Sequence, residues 1–356
     1  MAGNGSITVT TMDGDTLYLN TFCTLFQEWI TYPEAQTITR SFENTFLVPM
    51  PSEQSKVTLS LYNNRHEVIA SLTHVVDPND ILIRQLPTTP APVTVVQEGK
   101  VENPIDIAFM AEGYQAEEMQ VFLDDVNTAT EAIFKHEPFR SLRDRFRIIA
   151  VCCPSIDSGA SEPGHGKWLN TALHSSFDTF YSDRYLTTLH LFDMHDLLAG
   201  LAYEHIIVLV NTDNYGGGGV LNSYNLTMTH HPKFKPVVVH EFGHSFAGLA
   251  DEYAYPYEEI DAYPLDVEPW EKNITTLRDF KSKWADMVTP DARVSRRDST
   301  IATDKGNIGL YQSAGYRMQG VYRPTEDCRM RTNENPEFCP VCQRAIRDVI
   351  NFYTAE

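Results

Sequence analysis

His240 and His244 stand four residues apart, with Glu241 directly after the first, in the run from His240 to Tyr253 that reads HEFGHSFAGLADEY. On a helix that spacing turns both imidazoles to one face, where they can bind a single zinc ion. It also sets Glu241 beside the metal as a base for its water. Just downstream, Asp251 and Glu252 are two candidates for a third ligand. A carboxylate added to two histidines leaves one position open, as a catalytic zinc requires. The apolar Pro-Val-Val-Val at 236–239 suits a helix start anchored in a core, and Gly248 suits a left-handed turn at its end. The competing reading is an amphipathic helix with polar residues on its exposed face, because the bare five-residue pattern recurs by chance.

The flanking segments must position that helix. Asp106–Ala111 and Arg147–Cys152 read as apolar strands, Ala116–His136 and Tyr185–Leu201 as helices, and His205–Asn211 as a strand buried on both faces. Alternation of this kind predicts an α/β sheet that delivers the histidine helix across its face. Between His205–Asn211 and the helix lie Gly216–Gly219 and then Val220–Thr229. Four glycines in a row are costly in backbone entropy, which suits either a surface loop or a close approach of two backbones. Residues 1–86 carry short strand signals at Ser6–Thr11, Thr16–Thr21, Phe46–Val48, Lys56–Tyr62 and Val68–Val75. That spacing predicts a small β-sandwich, and the proline-rich segment 86–92 reads as an extended linker. The resulting division is an N-terminal domain over residues 1–95 and a catalytic domain over 96–356. A structural cap is the simpler role for the first domain, and a substrate-binding module the alternative.

Composition narrows the partners. The chain has 356 residues with 48 acidic and 28 basic side chains, a net charge of −20, which opposes binding to nucleic acid or to an anionic membrane. No segment approaches the roughly 20 apolar residues of a membrane span. The start, MAGNGSITVT, has neither the basic region nor the apolar core of a signal peptide. It fits a cytosolic chain or an exported one given without its leader. Six cysteines suit neither a disulfide-dense scaffold nor a thiol-free protein.

HEFGHSFAGLADEY, the upstream YGGGGVLN, and the downstream SAGY (313–316), GVYRP (320–324) and CRM…FCPVCQRAI (328–346) together resemble the IgA peptidase family. That family comprises bacterial zinc metallopeptidases of metzincin-like character. The likeness spans most of residues 100–356, and the first 90 or so resemble the β-sandwich domain that precedes the catalytic domain in the family. It implies a mixed-sheet, zincin-like α/β (α+β) fold, with Val220–Thr229 as the sheet's edge strand open to an added substrate peptide, and one catalytic zinc. It also implies secretion to the periplasm, cell surface or medium, and a protein or peptide substrate such as a host glycoprotein or immunoglobulin. The family name itself does not license IgA as the substrate.

The metzincin pattern places a glycine three residues, and the last ligand six residues, past the second histidine. Here Gly248 and Asp251 lie four and seven past His244, so one residue is inserted near Ala247 while the glycine-to-ligand interval is kept. Asp251 is therefore the expected third ligand, with Glu252 the alternative. Met330 is expected in a tight turn beneath the metal, an ordinary core methionine being the plainer reading. Tyr316 and Tyr322 are the nearest tyrosines by motif for an oxyanion, but neither enters the expected catalytic set. Cys328, Cys339 and Cys342 lack a fourth partner for a metal, so a disulfide from Cys328 to one of the others is expected in an exported protein. The function that follows is a secreted zinc endopeptidase with Glu241 as base. A protein- or glycan-binding module on the same scaffold is the alternative.

Overall fold

The N-terminal strands are β1 (Gly5–Thr11), β2 (Thr16–Phe22), β3 (Ser55–Tyr62) and β4 (Val68–Val76), with apolar and polar residues alternating most clearly in β1 and β3. They form one antiparallel sheet in the order β2-β1-β3-β4, within a computed structural model that describes residues 2–257, 260, 262–288 and 308–355. The expected sandwich takes a simpler form, because no second sheet faces this one among the described residues. Phe46–Val48 is not a strand. Instead Phe46 packs on Phe22 with ring centroids 4.3 Å apart. Phe42 meets Trp29 of the short helix α1 (Leu25–Trp29) at 5.9 Å. The aromatic side chains of 42–46 thus do the covering from irregular backbone.

The main sheet comprises β5 (Val93–Gln97), β6 (Ile105–Glu112), β7 (Phe146–Val151), β8 (His205–Val210), β9 (Gly217–Val220) and β10 (Tyr224–Met228), in the order β5-β7-β6-β8-β10-β9. The neighbours β7, β6, β8 and β10 run parallel, whereas β5 and β9 are antiparallel at the two edges. The inner strands are continuous apolar runs, as a sheet covered on both faces requires: Phe109, Met110, Ile207, Val208 and Leu209 are all fully buried. The boundary expected between residues 95 and 96 falls inside β5, which already belongs to this sheet.

Two expectations need correction. Tyr185–Leu201 is helical only over α3 (Leu191–Asp196), after α2 (Met119–Phe134). Tyr185 is instead tied down by a bridge to Gly217. Val220–Thr229 was expected as the sheet's edge strand, open to an added peptide, but β10 is paired on both sides. The edge is β9, the glycine run itself, and Tyr185 covers part of it. Its composition has a local cause. A Cβ on Gly219 would collide with the backbone carbonyl of Glu241, and one on Gly217 would lie 3.1 Å from the Glu241 Cγ. The strand must be glycine to lie this close to the helix above it.

That helix is α4 (Phe234–Ala247), which packs on β9, β10 and α2 and meets the last helix α5 (Pro340–Thr354). A hairpin of β11 (Tyr311–Ala314) and β12 (Arg317–Arg323) completes the described elements. Phe242 and Phe246 point inward and are fully buried against Phe139, at 5.4 and 5.6 Å. Truncating such a ring to Ala typically costs about 3–5 kcal/mol.

Two histidines lie in this core. His205 sits 4.6 Å from the Phe246 ring with its Nε2 unpartnered, and burial pushes its pKa down to about 3. Burial likewise pushes His136 down to about 4. An unfolded histidine titrates near 6.5, so below that pH the unfolded chain takes up protons the folded one refuses. Stability therefore falls as pH drops from about 6.5 towards the folded pKa values, by up to about 1.4 kcal/mol per pH unit for each histidine. We expect His205→Phe to lose less stability than the parent between about pH 6.5 and pH 5, measured as urea midpoints. Equal losses in the two proteins would contradict this.

Candidate metal centre

The helix places its two histidines by regular geometry and then stops abruptly. Gly248 adopts φ +59°, and its N–H donates to the His244 carbonyl at 2.9 Å while Leu249 donates to Gly243 at 3.2 Å. A Cβ at Gly248 would stand 2.6 Å from the Trp270 ring, so both φ and space call for glycine. The turn carries the chain back over the helix, and Asp251 arrives facing the imidazoles despite the extra residue.

Three ligand atoms converge there. His240 Nε2 lies 3.0 Å from His244 Nε2 and 3.0 Å from Asp251 Oδ1, and His244 Nε2 lies 3.3 Å from the same oxygen. The other ring nitrogens face backbone carbonyls, His240 Nδ1 that of Arg329 at 3.0 Å and His244 Nδ1 that of Leu249 at 2.5 Å. Each Nδ1 therefore carries its hydrogen, so that in the neutral ring each Nε2 turns a lone pair towards the carboxylate. Three acceptors this close repel one another unless a cation stands between them. A proton on one imidazole satisfies one contact, whereas a divalent metal satisfies all three. Tetrahedral ligands about 2.05 Å from zinc would be about 3.3 Å apart, close to the spacings found.

The electrostatics reflect the same demand. Burial acts to raise the Asp251 pKa, but the imidazoles override it and hold the carboxyl well below its usual range. Burial acts to lower His244, yet Asp251 and Glu241 outweigh it and lift it to about 9. Burial raises Glu241, although both histidines oppose the shift. Glu241 is not among the three converging groups, and its carboxylate lies over Gly217 of the edge strand.

The other candidates separate clearly. Glu252 turns away from the histidines into a buried cluster with Cys328, Cys339 and Cys342. The expected disulfide is not formed: all three cysteines are free, with Cys328 and Cys342 sulfurs 3.8 Å apart. Met330 is fully buried, and its Sδ would lie 2.7 Å from a Cβ on Gly243, so it packs on the helix backbone between the two histidines. Tyr322 is engaged in β12, whereas Tyr316 donates its hydroxyl hydrogen bond to Asp251 Oδ2. Tyr316 has φ +59°, a strained value for a tyrosine, and its N–H is held by the Tyr253 carbonyl at 3.1 Å. No local spacing announces this contact, since 65 residues separate Tyr316 from Asp251. Tyr253, which sequence reasoning passed over, stacks near His240 with centroids 6.5 Å apart. His230 pairs with Asp125 at 3.0 Å, and His231 accepts the Lys233 N–H at 3.0 Å near the start of α4.

No curated protein matches the chain. The sequence model of the family described as IgA Peptidase M64 matches residues 93–297 and 295–350, a region that contains the converging histidines and all six strands of the main sheet. A second, described as Peptidase M64 N-terminus, matches residues 1–73 and so takes in the first three strands and most of β4. With well over half its length accounted for, the chain belongs to the IgA peptidase M64 family and is a peptidase, a hydrolase of peptide bonds.

Proposed function

We propose that the protein is an exported zinc endopeptidase of zincin-like architecture that cleaves extracellular proteins. His240, His244 and Asp251 hold the metal, and Glu241 is the general base. The observation that carries this reading is the convergence of two imidazole lone pairs and one carboxylate oxygen within 3.0–3.3 Å. Export and an extracellular target rest on family resemblance, and the acidic surface argues against nucleic acid as a partner. No helix among the described residues is long and apolar enough to cross a membrane.

His240, His244 and Asp251 would hold a zinc ion, which when bound would supply Lewis acidity to a peptide carbonyl and lower the pKa of a water to about 7. The residues do the rest. Glu241, partly desolvated beside the edge strand, removes the proton from the attacking water and returns it to the leaving amine. Tyr316 fixes the second oxygen of Asp251, so that Oδ1 keeps its aim. The backbone carbonyls of Arg329 and Leu249 hold both imidazoles in the tautomer that presents Nε2. Met330 supports the helix from below. Beyond Tyr253 a cavity of about 580 Å³ opens, lined by Tyr255, Asp327 and Arg331 among others, with room for side chains of a bound substrate.

Glu241→Gln is expected to retain zinc and to lose about 10²- to 10⁴-fold in hydrolysis. Wild-type turnover in that variant would remove Glu241 from the role. Tyr316→Phe should weaken zinc binding or activity by about 10- to 100-fold, as loss of a ligand's supporting partner does, read by competition with a chelator. Met330→Leu should cost less than about 1.5 kcal/mol in denaturant unfolding and leave zinc in place. An unbiased peptide-library digest, with and without chelator, tests the class of reaction. Internal cleavage abolished by chelator is expected. Release of terminal residues alone would overturn the endopeptidase reading, and intact zinc with no cleavage would favour a binding module.

A further inference from the structure

Behind the converging histidines lies a second group whose chemistry the peptide hydrolysis above does not use. Glu252, Cys328, Cys339 and Cys342 bring one ligand atom each to within 4.8 Å of the others, and at most 5% of any of these residues is exposed. Cys339 and Cys342 form a Cys-Pro-Val-Cys turn at the start of α5, a spacing well suited to gripping one metal ion. Backbone N–H groups already point at the sulfurs: Cys339 N–H donates to Cys328 Sγ at 3.2 Å and Cys342 N–H to Cys339 Sγ at 3.5 Å. Such bonds favour sulfur in its thiolate form.

The carboxylate supplies an independent sign. Glu252 Oε1 accepts from Asn273 Nδ2 at 3.0 Å and lies 3.1 Å from Cys342 Sγ, while Oε2 is buried with no hydrogen-bond partner. A fully buried carboxylate with one orphaned oxygen is costly unless a cation or proton answers it. The 3.8 Å between Cys328 and Cys342 sulfurs is far from the roughly 2.05 Å of a disulfide. It equals the edge of a tetrahedron with metal–sulfur bonds of about 2.3 Å, which is about 3.8 Å.

We propose that Glu252, Cys328, Cys339 and Cys342 form a second, structural metal site that takes zinc. Three sulfurs and one carboxylate oxygen fill a tetrahedron and leave no open position, so this site holds structure and does no hydrolysis. Thiolate donors select against magnesium and calcium. Binding releases the thiol protons to solvent, and the net negative charge left on the cluster faces the buried guanidinium of Arg323. The site's place in the fold gives it a task. Glu252 follows Asp251, and its N–H donates to the Met330 carbonyl at 2.8 Å. Cys328 begins the turn whose Arg329 carbonyl holds His240. One ion would thus rivet together the Asp251 segment, the Met330 turn and α5.

The test uses the full chain purified under reducing, metal-replete conditions, with zinc counted by mass spectrometry after dialysis. Two zinc ions per chain are expected. His240→Ala/His244→Ala should retain one, and cobalt replacing it should show sulfur-to-metal charge-transfer absorption. Cys339→Ser/Cys342→Ser should lose that absorption and one zinc. Should the cysteine variant fail to fold, X-ray absorption at the zinc edge of the unaltered protein decides, with sulfur scattering expected near about 2.3 Å. A shell of nitrogen and oxygen alone, or a Cys328–Cys342 or Cys328–Cys339 disulfide found by mass spectrometry, would overturn the proposal. Either result, with zinc still lost in the histidine variant, would leave the peptidase reading intact. A shell of three sulfurs and one oxygen, with no zinc lost in the histidine variant, would do the reverse.

Discussion

Everything around α4 serves one unfavourable encounter, in which two imidazole lone pairs and a carboxylate are held face to face about 3 Å apart. Left free, these groups would rotate away from one another. They are kept in place from outside: by carbonyls on each Nδ1, by Tyr316 on the far oxygen of Asp251, and by packing of Phe242 and Phe246 into the core. The structure thereby stores a site whose mutual repulsion is relieved by a cation. Pre-positioning of this kind would leave these side chains little to rearrange on binding the proposed metal.

The part of the site written in consecutive residues was legible from the chain. The four-residue spacing of His240 and His244 needs only a helix to become a shared face, and Gly248 marks the left-handed exit without further context. The single inserted residue leaves the interval from Gly248 to Asp251 unchanged, and Asp251 faces the two imidazoles. Tyr316 and the turn of Glu252 towards three distant cysteines depend on contacts across 65 to 90 residues, for which a single sequence carries no spacing signal. Three cysteines with no fourth partner in nearby sequence read as a disulfide from Cys328 to one of the others, and the Glu252 carboxylate joins them only in the folded chain.

The same divide runs through the fold. Strands buried on both faces, such as His205–Val210, announce themselves as unbroken apolar runs. The edge strand β9 does not, since glycine reads as loop unless one knows that a helix backbone lies against it. Phe46–Val48 has strand-forming residues, yet its backbone stays irregular while the Phe46 ring packs on Phe22. Tyr185 likewise gives up helical periodicity for a bridge to Gly217, a choice that only tertiary contact can make.

The N-terminal sheet is joined to the rest by more than the chain that leads out of it. Cys23 N–H donates to Leu221 at 3.0 Å, Asn222 reaches the Thr21 carbonyl at 2.6 Å, and Trp270 bonds Asn4 at 3.1 Å. Arg65 clasps Asp266 through both oxygens. Leu221 and Asn222 form the turn between β9 and β10, and Trp270 is the ring that confines Gly248. A chain nicked within the proline-rich segment 86–92 would therefore remain a single particle, its two fragments held by burial and hydrogen bonds. Shortened proteins that begin after that segment would instead carry a raw apolar scar around Leu221 and Trp270, next to the turn that aims Asp251.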